Sequence, residues 1–423
     1  MDRRSFVTAL SGTPFALDAG AAALVREANR AVAGRSPREV AEDESYWLRV
    51  RQAFSLDANH VNLNSGSVSP APRVVSDAMQ RYWTLTNMSP SYYVDELLYP
   101  EVELVRRRLA AVAGCDPEEL ALTRNTSESL QIAQFGLPLQ RGDEIVSTTQ
   151  DYPRMIGAWK QRERRDGVVL KLVTIPSPAP SMDTLYERVF SAVTPRTKVI
   201  LICHMTYTTG QILPVRRICD EARRRGIVTI VDGGHTFAHF PFSIPELGCD
   251  VYGSSLHKWL CAPVGNGLLY VRKAMIPNIW PLMAAAPSQD ADIRKFESIG
   301  TYPIALRTAV SDAVAFHEEI GAERKAERLH FLRERWMRGV ERIPGVTLHT
   351  SFDRAQACAL GAMSLANVGA QQLTDELQRR WRIHVRPRFV EREFECIRVT
   401  PNVFTKLDEI DLFVEAIRTL AAG

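Results

Sequence analysis

Val215-Arg216-Arg217-Ile218-Cys219-Asp220-Glu221-Ala222-Arg223-Arg224-Arg225-Gly226-Ile227-Val228-Thr229-Ile230-Val231-Asp232-Gly233-Gly234-His235 joins an amphipathic run to an apolar one across a single Arg225-Gly226 step. The first run has helical spacing, the glycine supplies a C-cap, and the second run reads as a buried strand ending in an acid. Such a unit is half of a strand–helix–strand crossover. The pattern repeats outward in both directions. Strand-like runs occur at 120–123, 143–148, 168–175, 198–204, 227–232, 250–254 and 267–271. Helical patterns lie between them at 127–135, 153–165, 183–193 and 215–225. Repeated alternation predicts an α/β fold with a mainly parallel sheet covered on both faces.

After Thr301 the texture changes. A helical stretch runs from Ala305 to about Arg342, and Pro344-Gly345 marks a turn. A shorter tail follows, with strands at 359–365 and 396–400 and an amphipathic helix at 407–420. The division expected from this is an N-terminal leader at 1–33, a connecting segment at 34–60, a large domain at 61–304 and a small α+β domain at 305–423. A crevice between two such domains is a natural ligand site.

Composition narrows the function. The chain has 423 residues, 45% hydrophobic and 24% charged, which excludes wholesale disorder and a coiled coil. Net charge is only +3, from 52 basic and 49 acidic residues, so a nucleic-acid backbone binder is not expected. No apolar run approaches the roughly 18 residues of a membrane span. Seven scattered cysteines without C-x-x-C spacing read as free thiols, with no metal site and no disulfide framework. No G-x-G-x-x-G opens a helix after a strand, against a dinucleotide oxidoreductase. Met1-Asp2-Arg3-Arg4-Ser5-Phe6-Val7-Thr8 resembles a twin-arginine export leader, which would place the protein in the periplasm. An Arg-bearing N-terminal helix retained by a cytoplasmic protein is the alternative, supported by Asp18 and the amphipathic run at 22–33.

Lysine is scarce, at eight of the 52 basic residues. Lys258 stands apart in Tyr252-Gly253-Ser254-Ser255-Leu256-His257-Lys258-Trp259, directly after an apolar strand. An amine in that position is placed for a lowered pKa and nucleophilic chemistry, although a surface lysine near a turn explains this fragment equally well. Asp232 ends the preceding strand. An acid at one strand end and an amine at the next can hold one ring between them, as pyridoxal phosphate requires. His235 could bond that ring's phenolic oxygen. Thr126 and Ser127 open a helix after a strand, which suits a phosphate or simple N-capping.

These pieces occur in a recognisable order: Asn62-Leu63-Asn64-Ser65-Gly66, Asn125-Thr126-Ser127-Glu128, His204 to Pro214, Asp232-Gly233-Gly234-His235, Ser255-Leu256-His257-Lys258, Gly300-Thr301 and Arg398-Val399-Thr400-Pro401-Asn402. From about Val61 to Leu420 the chain resembles the class V aminotransferase family of fold-type I pyridoxal-phosphate enzymes. Within it, the branch of isopenicillin N epimerase-like proteins and cysteine desulfurases is nearest in pattern. The resemblance implies that Lys258 carries the cofactor as an aldimine and that Asp232 pairs with the pyridine nitrogen, with His235 near the ring oxygen. It places Thr126, Ser127, Ser255 and His257 at the phosphate, and Arg398 with Asn64 at the substrate carboxylate. Thr301 matches a residue lent to the neighbouring subunit's phosphate, which implies a homodimer. The substrate is then a small amino compound, and the reaction a transamination, an epimerisation or related tailoring chemistry.

Two departures matter. The ring-stacking slot after the strand near Thr148 reads Thr149-Gln150-Asp151-Tyr152-Pro153, which puts Gln150 in that slot and leaves Tyr152 as an aromatic neighbour or acid/base, or as a tyrosine packing at a helix start. Desulfurases resembling this chain use a loop cysteine ahead of the carboxylate-binding arginine, and between Gly361 and Glu395 there is none. Cys396 lies on a strand and reads as a structural thiol. A C–S lyase or desulfurase-like elimination, or a non-catalytic pyridoxal-phosphate-binding protein, are the competing expectations.

Overall fold

The computed structural model describes residues 19–422. Within them thirteen strands form three sheets. They are β1 (Val61–Asn62), β2 (Leu120–Thr123), β3 (Glu144–Thr148), β4 (Val169–Val173), β5 (Thr197–Cys203), β6 (Val228–Asp232), β7 (Val251–Ser255), β8 (Gly267–Val271), β9 (Val346–Leu348), β10 (Gly361–Leu365), β11 (Ile383–His384), β12 (Arg386–Val390) and β13 (Phe394–Val399). The large sheet has the order β2-β8-β7-β6-β5-β3-β4. Pairing from β4 through β7 is parallel, and β8 runs antiparallel to both β7 and β2. The predicted α/β class with a mainly parallel sheet therefore holds.

Alternation of side chains across the pleat accounts for the two-sided burial. Ile200 and Ile202 of β5 enter one apolar core, and Val199 and Leu201 enter the core on the opposite face. Each crossover helix has a local stop or start. The helix Pro153–Asp166 begins with proline and ends at left-handed Gly167, and Asn125 caps the helix Thr126–Gly136 by accepting from the Glu128 N–H at 3.0 Å.

The smaller unit is a four-stranded antiparallel sheet, β12-β13-β10-β9, covered by the helices Ala370–Trp381 and Leu407–Ala421. Packing divides the chain differently from the sequence-based boundaries in three places. Residues 61–64 lie along the small unit, because β1 pairs with β11 in parallel and Asn64 bridges Thr400. The helical stretch after Ala305 breaks at Gly321, where φ is +88°. The helix Val310–Ile320 packs on the large unit, and Ala322–Val340 carries the chain across to the small one. At the N-terminus, the leader-like residues 1–18 lie outside the described residues. The helix Ala19–Ala31, however, buries Val25 and Ala28 in the main core. No helix among the described residues is long and apolar enough to cross a membrane.

Asn29 fastens that helix. Its amide donates to the Glu319 carbonyl at 2.7 Å and the Glu319 carboxylate at 3.0 Å, and its oxygen accepts from Tyr46 at 2.9 Å and from Arg324. Asn29→Ala strips partners from several part-buried polar groups. It should lower unfolding stability by about 1–3 kcal/mol in chemical denaturation. No change would mean that the helix contributes only its apolar contacts.

Candidate active site

The parallel strands end on one edge of the large sheet, and the residues that follow them line one cavity of ≈ 500 Å³. Its walls include Thr126 and Ser127 after β2, Tyr152 after β3, Cys203 at the end of β5, Asp232 and His235 from β6, and Ser255, His257 and Lys258 from β7. Arg398 of β13 and Arg388 of β12 close it from the small unit.

Strand register brings the anion-binding end together. Thr123 and Ser255 both face Gly267 on β8. A Cβ on Gly267 would lie 2.7 Å from the Asn125 backbone, so glycine lets the turn into the next helix press against β8. The Thr126 N–H then donates to the Ser255 hydroxyl at 2.9 Å, and the two hydroxyls are 2.7 Å apart. This hydroxyl pair sits at the positive end of an 11-residue helix, where a phosphate is favoured.

Asp232 is buried, and burial pushes its pKa up to about 6 against the opposing pull of the Gly234 N–H and Lys258. That N–H donates to its carboxylate at 2.9 Å. Lys258 faces the cavity but is enclosed by protein at longer range, and this desolvation lowers its pKa to about 8 despite Asp232. A Cβ on Gly234 would be 3.0 Å from the Asp232 carboxylate, 3.0 Å from the Thr126 hydroxyl and 3.3 Å from the Lys258 amine. The acid, the amine and the phosphate end therefore surround one glycine.

His235 and His257 are kept neutral by burial, with His257 lowered to about 4. Each has a buried Nδ1 without a protein partner. His239 fixes the turn that bears His235. It stacks on Trp259 at 3.7 Å, its Nε2 accepts from the Ala359 N–H at 3.0 Å, and so its Nδ1 donates to the His235 carbonyl at 2.7 Å. The donors, the acid–amine pair and the two orphaned imidazole nitrogens fit pyridoxal phosphate. Thr126, Ser127, Ser255 and His257 would hold its phosphate, Asp232 its ring nitrogen, His235 its ring oxygen and Lys258 its aldehyde carbon.

Arg398 is fully buried, with its donors divided among three elements. Nη1 donates to the Tyr207 carbonyl at 3.0 Å, and Nη2 donates to the Asn64 amide oxygen at 3.0 Å and the Ser67 hydroxyl at 2.9 Å. Its Nε is buried without a partner. Asn64 also contacts His384 at 3.1 Å and lines an adjoining cavity with His60 and Ser67. The placement of Asn64 at the substrate is thus corrected: it stands behind Arg398 and orients it.

Gln150 is not the ring-stacking residue. Its side chain is fully buried, donating to the Ile175 carbonyl at 3.0 Å and accepting from Thr208 at 3.0 Å. Tyr152 reaches the cavity instead, edge-on to Tyr207 with centroids 5.3 Å apart. Thr301 is exposed and does not line the cavity of its own chain. Cys396 is buried away from the cavity and pushed up to about 12 by burial. Cys203 does line it, but burial, with Asp151 next, raises its pKa well above that of a reactive thiol. Cys203, Tyr207 and Arg388 were not anticipated as site residues. Only the spacing Arg386-Pro387-Arg388, two guanidiniums on one strand face, hinted at the last.

The comparisons agree with this geometry. The family model described as aminotransferase class-V matches residues 61–387. An isopenicillin N epimerase from Amycolatopsis lactamdurans is 30% identical over 402 residues, covering 89% of this chain and 98% of the relative. A probable cysteine desulfurase from Xylella fastidiosa is 28% identical, covering 71% and 77% of the two chains. Among solved structures, a cysteine desulfurase from Thermococcus onnurineus NA1 superposes with a TM-score of 0.78 at 21% identity, covering 88% of this chain and 98% of that one. With its cofactor site and its two-unit fold both accounted for, the chain belongs to the class-V aminotransferase family and is a pyridoxal-phosphate-dependent enzyme.

Proposed function

We propose that the enzyme moves the Cα proton of an amino acid and inverts the configuration there, with Lys258 and Tyr152 as the two proton-handling groups. The observation that carries this reading is the content of the cavity: an amine lowered to about 8 and a phenol face it, while its thiol, Cys203, is held protonated. Pyridoxal phosphate, when bound, supplies the electron sink for the pair left at Cα. Arg398 grips the α-carboxylate through the donors that Tyr207, Asn64 and Ser67 leave free. One proton passes from Cα to a basic group, and another returns from an acidic one, so no net acid or base is consumed. The similarity to an isopenicillin N epimerase over 98% of that protein's length supports inversion. Elimination at a C–S bond is the second reading, favoured by the similarity to desulfurases and disfavoured by the absence of a reactive cavity thiolate among the described residues. Intact Lys258, Asp232 and Arg398 speak against a non-catalytic binder.

We also propose a homodimer in which Thr301 reaches the partner's phosphate site. Its exposure on a loop beside left-handed Gly300 and the exposed Trp280 and Met283 nearby in sequence support this. Export through the twin-arginine-like leader remains part of the proposal, and fractionation of cells followed by N-terminal sequencing tests it.

Incubation in D2O with a panel of amino acids should incorporate deuterium at Cα and yield both configurations, read by mass spectrometry and chiral chromatography. Release of sulfide or a keto acid without inversion would establish elimination or transamination instead. Because deprotonation of Lys258 is already favoured above about pH 8, capture of added pyridoxal phosphate by the cofactor-free protein should quicken with rising pH and level off near 8. An unshifted lysine would keep quickening past 10. Borohydride should then fix the cofactor on the Lys258 peptide, and Lys258→Ala should abolish that adduct. Arg398→Lys should fail almost as badly as Arg398→Ala, by about 2–4 kcal/mol in kcat/KM, because a point charge cannot replace the fork. Cofactor absorbance should survive both changes, since the large unit holds the cofactor.

A further inference from the structure

The β12–β13 ribbon carries an arrangement of charge that the reaction as read so far leaves unused. Arg386 lies directly opposite Arg398, and Arg388 directly opposite Cys396. Opposed residues, and residues two apart on one strand, share a face. Three guanidiniums therefore stand on one face of the β12–β13 pair at the edge of the small sheet. Like charges opposed across strands are unfavourable. Among the described residues, no carboxylate forms an ion pair with any of the three, whereas Arg392 on the following turn has Glu391.

Arg388 is the one that turns into the cavity together with Arg398. Its Nε is buried without a partner, and the one hydrogen bond its guanidinium makes among the described residues is a long one, 3.5 Å, to the neighbouring Pro387 carbonyl. The guanidinium lies 5.2 Å from the centroid of the Tyr207 ring. Tyr207 thus meets both arginines, Arg398 through its carbonyl and Arg388 through its ring. The same ring packs edge-on against Tyr152. Burial lowers the pKa of Arg388; Tyr207 opposes this and Arg386 adds to it, and no carboxylate among the described residues pairs with the charge. A guanidinium stays protonated in such a setting and takes a planar anion as its partner.

We propose that Arg388 is a specificity-determining residue and that the substrate is an amino acid whose side chain carries a second carboxylate, bound by Arg388 while Arg398 binds the α-carboxylate. This rests on the reading of Arg398 given above. Two carboxylates on one substrate neutralise two guanidiniums that the protein leaves facing the same space. Selection against neutral side chains follows, because they would leave the Arg388 charge desolvated and unpaired.

Binding of carboxylic acids without an amino group separates this from the chemistry. Titration of the holoenzyme by calorimetry, with unbranched dicarboxylates from succinate to pimelate and monocarboxylates of matched length, should show the best dicarboxylate binding about 30-fold more tightly. In Arg388→Met, which keeps the apolar stem, that ratio should fall to about threefold or less. In Arg388→Glu, a ligand of the same length ending in an amine should become the preferred one. In turnover, KM for the acidic amino acid should rise far more than kcat falls. Monocarboxylates binding as well as dicarboxylates to the unmodified protein would overturn the proposal and leave the Arg398 reading intact. An unchanged ratio in Arg388→Met would overturn it as well. Failure of every carboxylate to bind would overturn both.

Discussion

A buried carboxylate at the end of one parallel strand and a cavity-facing amine just past the end of the next set the terms for the rest of the molecule. Asp232 and Lys258 both lie where water is scarce, and each opposes the effect of burial on the other. Desolvating such groups costs several kcal/mol unless neighbours compensate. The compensation is local and exacting in space: the Gly234 N–H on Asp232, and a glycine with no side chain between acid, amine and the Thr126 hydroxyl. The turn that presents this glycine is held in its own right. Ser254 and Tyr252 donate to the Gly233 carbonyl at 2.9 and 3.3 Å, and His239 ties the His235 carbonyl to the Ala359 N–H of the small unit. Geometry at the reactive pair thus depends on contacts in both units.

How much of this could be read from residues alone follows from burial. The seven strands of the large sheet were legible because most are covered on both faces, so they appear as uninterrupted apolar runs bounded by glycine and charge. The strands β1, β9, β11 and β12 were missed. They are short or carry alternating polar residues such as Arg386 and Arg388, and their pairing comes from tertiary contact. In the site, Lys258, Asp232, His235, Thr126, Ser127, Ser255 and His257 line one cavity because each lies at or just past a strand end on one edge of the sheet. The choice between Gln150 and Tyr152 could not be made from sequence. Two turn residues separated only by Asp151 differ in which of them the fold turns inward, and Gln150 turns toward Ile175 and Thr208. Asn64 was expected at the substrate, and in the structure it instead contacts Arg398, the arginine that faces the cavity. The importance of Arg388 arises from cross-strand register, which no single-strand pattern contains.

The same register explains why the corner around Arg398 belongs to neither unit alone. Arg398 comes from the small sheet, its Nη1 partner is the Tyr207 carbonyl of the large unit, and its Nη2 partners, Asn64 and Ser67, come from the segment that runs in from the N-terminal side. That segment is itself pinned, with the Ser65 N–H on the Thr400 carbonyl at 3.1 Å, the Gly66 N–H on the Thr400 hydroxyl at 3.0 Å and the Ser69 N–H on the His257 carbonyl at 2.9 Å. The last bond ends one residue from Lys258. A displacement of the small unit would therefore move Arg398, loosen the 61–69 segment and disturb the backbone next to the reactive amine together. Arg398 and Arg388 both ride on the small sheet and both lower the pKa of Lys258 on the large unit, so an anion held between the two guanidiniums would offset their repulsion and their effect on the amine together. On the proposed reading, the substrate's carboxylates would supply the partners that Arg398 and Arg388 lack beside Lys258.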